Sequence, residues 1–106
     1  MEIVISGVFE VEVMNESKVV IGIAWYRREE YDLLRALAAD PDSMGKTYDQ
    51  WLGGVNRTVR DLRRQGMVVR RVDVAVRDLA AWCEERGCLL DGSARSEYAA
   101  EKVRAM

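Results

Sequence analysis

The side chains that could do chemistry are few, and most of them are arginines. Arg57, Arg60, Arg63 and Arg64 crowd one short stretch, and Arg70 and Arg71 follow closely. Arg57, Arg60 and Arg64 stand at i, i+3 and i+7, so on a helix they share a face. Such a face can bind phosphates, and each contact would then weaken with salt. The plainer reading is a solvated helix face. Arginines near a helix C-terminus suit its dipole, and Asp61 is placed to pair with them locally. No aromatic residue interleaves the arginines, so stacking on single-stranded bases is not indicated.

Acid–base and nucleophilic chemistry find less support. The chain has no histidine, which removes the usual general base near neutral pH and the commonest transition-metal ligand. Asp49, Asp73, Glu84 and Glu85 are candidate acids, and Tyr26, Tyr31 and Tyr48 candidate proton donors. No pair among them has a spacing that demands catalysis. Phosphate-loop and nucleophile-elbow motifs are absent. Cys83 and Cys88 are too few for a four-coordinate zinc site and read first as two small buried hydrophobes, with a redox or disulfide role as the alternative. No cofactor or metal is implied.

These residues must be held by an ordinary globular scaffold. Apolar residues make up 49% and charged residues 32% of 106 positions, which is the balance of one domain with one core. The longest apolar run, VVIGIAWY at 19–26, is far short of the roughly 20 residues that span a bilayer. The start, MEIVISGVFEVEVM, lacks the basic region of a secretory signal, so the expected address is cytoplasmic. Net charge is −2, too small a field to imply a polyanion or membrane partner. Its distribution is uneven. Residues 1–45 hold nine acids against four bases, whereas residues 46–66 hold five bases against two acids.

Periodicity places the elements. Phe9, Val11 and Val13 alternate with Glu10 and Glu12 as in a half-buried strand, and Gly7 marks a bend. After the turn MNES comes VVIGIAW, apolar on both faces, which belongs at the centre of a sheet covered on either side. The two are expected as an antiparallel hairpin. Residues 1–13 read as an accessory edge strand, since Met14 stands directly before this core. RREEYDLLRALAA has helical spacing and ends at Asp40-Pro41; DPDSMGK is a loop. In KTYDQWL, Thr47 and Gln50 form a capping box. Behind it Tyr48, Trp51, Leu52, Val55, Val59 and Leu62 make the apolar stripe of a helix over 48–65, stopped by Gly66. Gly53 and Gly54 inside it each cost about 1 kcal/mol relative to alanine, for which a close backbone approach or a bend is the expected reason. MVVRRVDV is the next strand. AVRDLAAWCEERG is a helix stopped by Gly87, and SARSEYAAEKVRAM, capped by Asp91 or Ser93, is a last helix with a thin stripe and a fraying end. The fold class is therefore α+β: about three strands and four helices in the order β-β-α-α-β-α-α. A βαα pseudo-repeat is visible at an offset of 47–48 residues.

The segments AWYRREEYDLL, DPDSM, KTYDQWL, AWCEERG and ARSEYA together resemble a group of small bacterial proteins of unknown function, over residues 18–103. That resemblance implies no activity, cofactor or site residue. The expected function is accordingly a non-enzymatic protein–protein interaction or self-assembling module. The N-terminal edge strand and the last helix are its expected incomplete surfaces. The alternative is nucleic-acid binding through Arg57, Arg60, Arg63, Arg64 and Arg70.

Overall fold

The computed structural model describes the backbone of residues 2–5, 8–15 and 18–105 and the side chains of residues 20–105. The chain is α+β, with four strands and four α-helices among the described residues. The strands are β1 (Glu2–Ile5), β2 (Val8–Asn15), β3 (Lys18–Trp25) and β4 (Val68–Asp73). The helices are α1 (Tyr31–Leu37), α2 (Tyr48–Arg64), α3 (Val76–Arg86) and α4 (Gly92–Arg104). Short 3₁₀ turns at Arg28–Glu30 and Pro41–Ser43 precede α1 and interrupt the expected Asp-Pro loop.

One sheet has the order β1-β2-β3-β4. The expected count of about three strands is corrected here. The N-terminal stretch is not one edge strand, because Glu2–Ile5 pairs antiparallel with Val8–Val11. Residues 8–13 are integral to β2, whose ladder with β3 runs through Met14↔Val19 and Asn15↔Lys18. The expected alternation of Phe9 to Val13, and the bend at Gly7, lie outside the described residues. The β2–β3 pair is the expected antiparallel hairpin. β4 lies parallel to β3, from Val20↔Val68 to Trp25↔Asp73. The paired residues of that register stand 48 positions apart, within the offset expected for a βαα pseudo-repeat.

β3 is central because both of its faces are covered. Trp25 meets Trp51 of α2 edge-on, with ring centroids 5.6 Å apart. Gly22, of opposite parity along the strand, faces α4: a Cβ there would lie 2.4 Å from Val103 Cγ2 and 3.3 Å from the Ala99 carbonyl. Alternate strand residues point to opposite faces, so α2 and α4 lie on opposite sides of the sheet. The helices that the expected βαα pseudo-repeat would match, α2 and α4, thus do not take equivalent places on the sheet. Ile21, Ile23, Val72, Val55, Leu62 and Ala99 are fully buried between these layers.

α4 corrects a second expectation. Its stripe is not thin: Gly92, Ala94, Arg95, Ser96, Tyr98, Ala99, Ala100 and Val103 are all buried. Small residues let the helix approach the sheet closely, so it buries surface without large side chains. The sheet-facing side of the last helix is thus covered within the chain. We expect Gly22→Ala to cost about 2 kcal/mol in urea unfolding through overpacking, and Val103→Ala in the same chain to restore part of that loss.

Candidate functional site

The stretch 46–52 is built as its pattern predicts, with one difference. Thr47 Oγ1 accepts from the Gln50 amide at 3.1 Å, but Gln50 Oε1 reaches past the cap to the Lys46 amide at 2.9 Å. Trp51 is buried, and Tyr48 donates its hydroxyl to the Tyr26 carbonyl at 2.9 Å. Trp25, Tyr26, Tyr31, Tyr48 and Trp51 form one aromatic cluster. Thr58 also turns inward beside this stripe.

Beyond the C-terminal ends of β3 and β4 lies a polar cluster that the sequence did not reveal. Arg95, only 7% exposed, forks onto Asp40 with Nη1–Oδ1 at 2.8 Å and Nη2–Oδ2 at 2.9 Å. Asp40 Oδ2 also accepts from Ser43 Oγ at 2.9 Å and from the Gly92 amide at 3.1 Å. The carboxylate thus sits at the first residue of α4, where the helix dipole favours an anion, while Asp91 caps Ala94 locally at 3.0 Å. Partial burial alone would raise the Asp40 carboxyl. Hydrogen bonds from Arg95 and Ser43 and the Arg95 charge outweigh it and hold the group below its ordinary 3.8. Burial also pushes the neighbouring Tyr26 phenol well above its usual range, and Tyr31 is raised for the same reason. Both carboxylate oxygens are engaged within the chain. The cluster therefore acts as a clasp and presents no free acid.

A second clasp joins the 3₁₀ turn before α1 to the start of α3. α3 has Ala75 at its N-cap and no local side-chain cap. Glu30 supplies the acceptor instead, with Oε1 2.9 Å from the Val76 amide, while its Oε2 holds Arg27 Nε at 3.0 Å.

The remaining candidate acids do not converge, and the candidate tyrosines meet only in the aromatic cluster, where the Tyr31 and Tyr48 hydroxyls are spent on backbone carbonyls. Asp49 pairs with Arg28 at 2.8 Å and Asp73 with Arg71 at 2.9 Å. Glu84 and Glu85 are exposed on α3, and Tyr31 donates to the Gly45 carbonyl. Among the described residues, no three histidine, cysteine, aspartate or glutamate side chains gather as metal ligands. No described helix is long and apolar enough to cross a membrane.

The five arginines are divided. Arg57, Arg60, Arg63 and Arg64 are exposed on α2, away from its buried residues Trp51, Val55, Thr58 and Leu62. Among the described residues none of the four takes part in an ion pair, Asp61 included, contrary to the expected local pairing. Arg70 is exposed too, but it pairs in register with Gly22 and so points to the α4 side of the sheet. It does not extend the α2 face. Arg71 has the α2-side parity; its guanidinium lies 4.8 Å from the centre of the Trp25 ring. Gly53, Arg57, Arg60 and Arg64 follow at i, i+4, i+7 and i+11, so they share one face. A Cβ added at Gly53 or Gly54 would meet nothing within 4 Å. The expected close backbone approach is therefore not made by any of the described residues.

Cys83 is buried and Cys88 exposed, so only the first is the small buried hydrophobe expected of both. Two exposed leucines, Leu33 and Leu37, stand one turn apart on α1, and Leu89 is 70% exposed after α3. No family model, curated protein or solved structure matches the chain.

The Asp40 clasp has a measurable signature. Asp40→Ala strands a buried guanidinium without its counter-charge and should cost about 3 kcal/mol in denaturant unfolding. Its folded-state value is depressed, so its contribution is whole above the unfolded value of 3.8 and drains as pH falls through the lower folded value. Stability measured against pH should show that acid loss in the wild type and a shallower one in Asp40→Asn.

Proposed function

We propose that the protein is a non-enzymatic, cytoplasmic interaction module whose contact surface is the solvent face of α2. The observation that carries this reading is the glycine pair. Gly53 and Gly54 sit inside a 17-residue helix in open space, where each costs about 1 kcal/mol relative to alanine. Nothing among the described residues uses the clearance. A partner backbone approaching this face would use it, and the arginines next along the face would meet carboxylates on that partner. A second copy is the simplest such partner, because residues 1–45 carry a marked acidic excess.

Gly53→Ala and Gly54→Ala should each stabilise the isolated chain by about 0.5–1 kcal/mol and weaken association in sedimentation velocity. Self-association is overturned by a compact monomer at every concentration. Unchanged association in the alanine variants removes the α2 face as the contact.

Nucleic-acid binding is the second reading, favoured by the four arginines of α2 that lack ion-pair partners among the described residues. It is the weaker of the two because Arg70 points to the other side of the sheet, which leaves a short basic row. Four phosphate contacts would lose about a hundredfold in affinity between about 50 and 200 mM salt. A titration with mixed RNA and DNA that shows no binding at low salt disposes of it.

A further inference from the structure

We propose that Cys83 and Cys88 are a peroxide-oxidisable dithiol that closes to an intramolecular disulfide across the C-terminal end of α3. The geometry is that of the helix stop. Gly87 adopts φ 64°, its amide donates to the Glu84 carbonyl at 3.2 Å, and the Cys88 amide donates to the Cys83 carbonyl at 3.0 Å. This pair of bonds is the Schellman arrangement, in which the first residue beyond the left-handed glycine packs against the residue five positions before it. An apolar pair ordinarily fills those two positions. Here both are cysteines, one exposed and one buried, and neither is in a disulfide.

The two thiols have different parts to play. Cys88 is open to solvent and meets the oxidant first. Its thiolate sulfur attacks one peroxide oxygen, the O–O bond breaks, and hydroxide leaves, giving a sulfenic acid. The Cys83 sulfur then displaces the sulfenic hydroxyl, which leaves as water with the Cys83 proton. Two thiols are oxidised by two electrons and the peroxide is reduced to two waters. Burial, then the neighbouring Cys88, push the Cys83 thiol up to about 11; Asp91 adds to the rise and Arg95 opposes it. Cys83 is therefore a poor first target, and its attack depends on being held next to the sulfenic acid.

The test uses the full reduced chain, treated with hydrogen peroxide under native conditions and then alkylated. Arg86 lies between the cysteines, so trypsin separates them unless a disulfide holds the peptides together. The wild type should lose both thiols together, gain no oxygen, sediment unchanged, and recover both thiols with dithiothreitol. Cys88→Ala should keep the Cys83 thiol free at the same dose. Cys83→Ala should accumulate oxygen on Cys88 or link two chains through it. The proposal is overturned if the wild type adds oxygen at Cys88 while Cys83 stays free, or links only between chains. The wild-type result decides the matter even where a variant folds poorly.

Discussion

The carboxylates of Glu30 and Asp40 tie the two halves of the molecule together beyond what the β3–β4 ladder and the packing of α4 already do. Each leaves the β3–α1–α2 half, crosses to the β4–α3–α4 half, and accepts from the first amide of a helix there: Glu30 from Val76 at α3, Asp40 from Gly92 at α4. Helix starts leave unpaired N–H groups that must be satisfied. In α3 the Ala75 carbonyl takes the Asp78 and Leu79 amides, and the Val76 amide is met from outside the helix, because Ala75 has no side-chain acceptor. In α4 the same carboxylate also neutralises Arg95, a guanidinium that could not otherwise be buried. The positions of α3 and α4 are thus tied to the loops around α1 as well as to the sheet.

α4 shows how a helix with few large residues becomes well buried. Gly22 removes the one side chain that would hold it off β3, and Ala99 and Val103 occupy the space. Sequence periodicity, which weighs large apolar residues, undervalues a helix that packs through glycine and alanine. The same close approach fixes which face of the sheet α4 takes, and so leaves the other face to α2.

Much of the fold was legible because local rules govern it. The apolar run of β3 signals cover on both sides. Thr47 signals the start of α2, and Gly66 and Gly87 adopt the left-handed φ of 86° and 64° expected of helix stops. Partners distant in sequence were not legible. Asp40 and Arg95 are 55 residues apart, and each alone looks like an ordinary surface charge. The basic face of α2 was readable from helical spacing alone. The exclusion of Arg70 was not, since it depends on which side of the sheet each helix covers. The exposure of Cys88 was hidden for a related reason: the helix pattern stops at Gly87, just where its guidance would have been needed.

The β3–β4 ladder also sets an order of events for the folding chain. β2 and β3 are adjacent in sequence and can pair with little loss of loop entropy. β4 joins β3 only across a 48-residue separation, a closure that is slow unless the intervening chain has already compacted. α1 and α2 occupy that interval, and α2 ends only a few residues before β4 begins. Once α2 lies on the sheet through Trp25 and Trp51, the entropic gap left for β4 is short. The aromatic cluster is thus placed to shorten the search for the only parallel pairing in the described sheet.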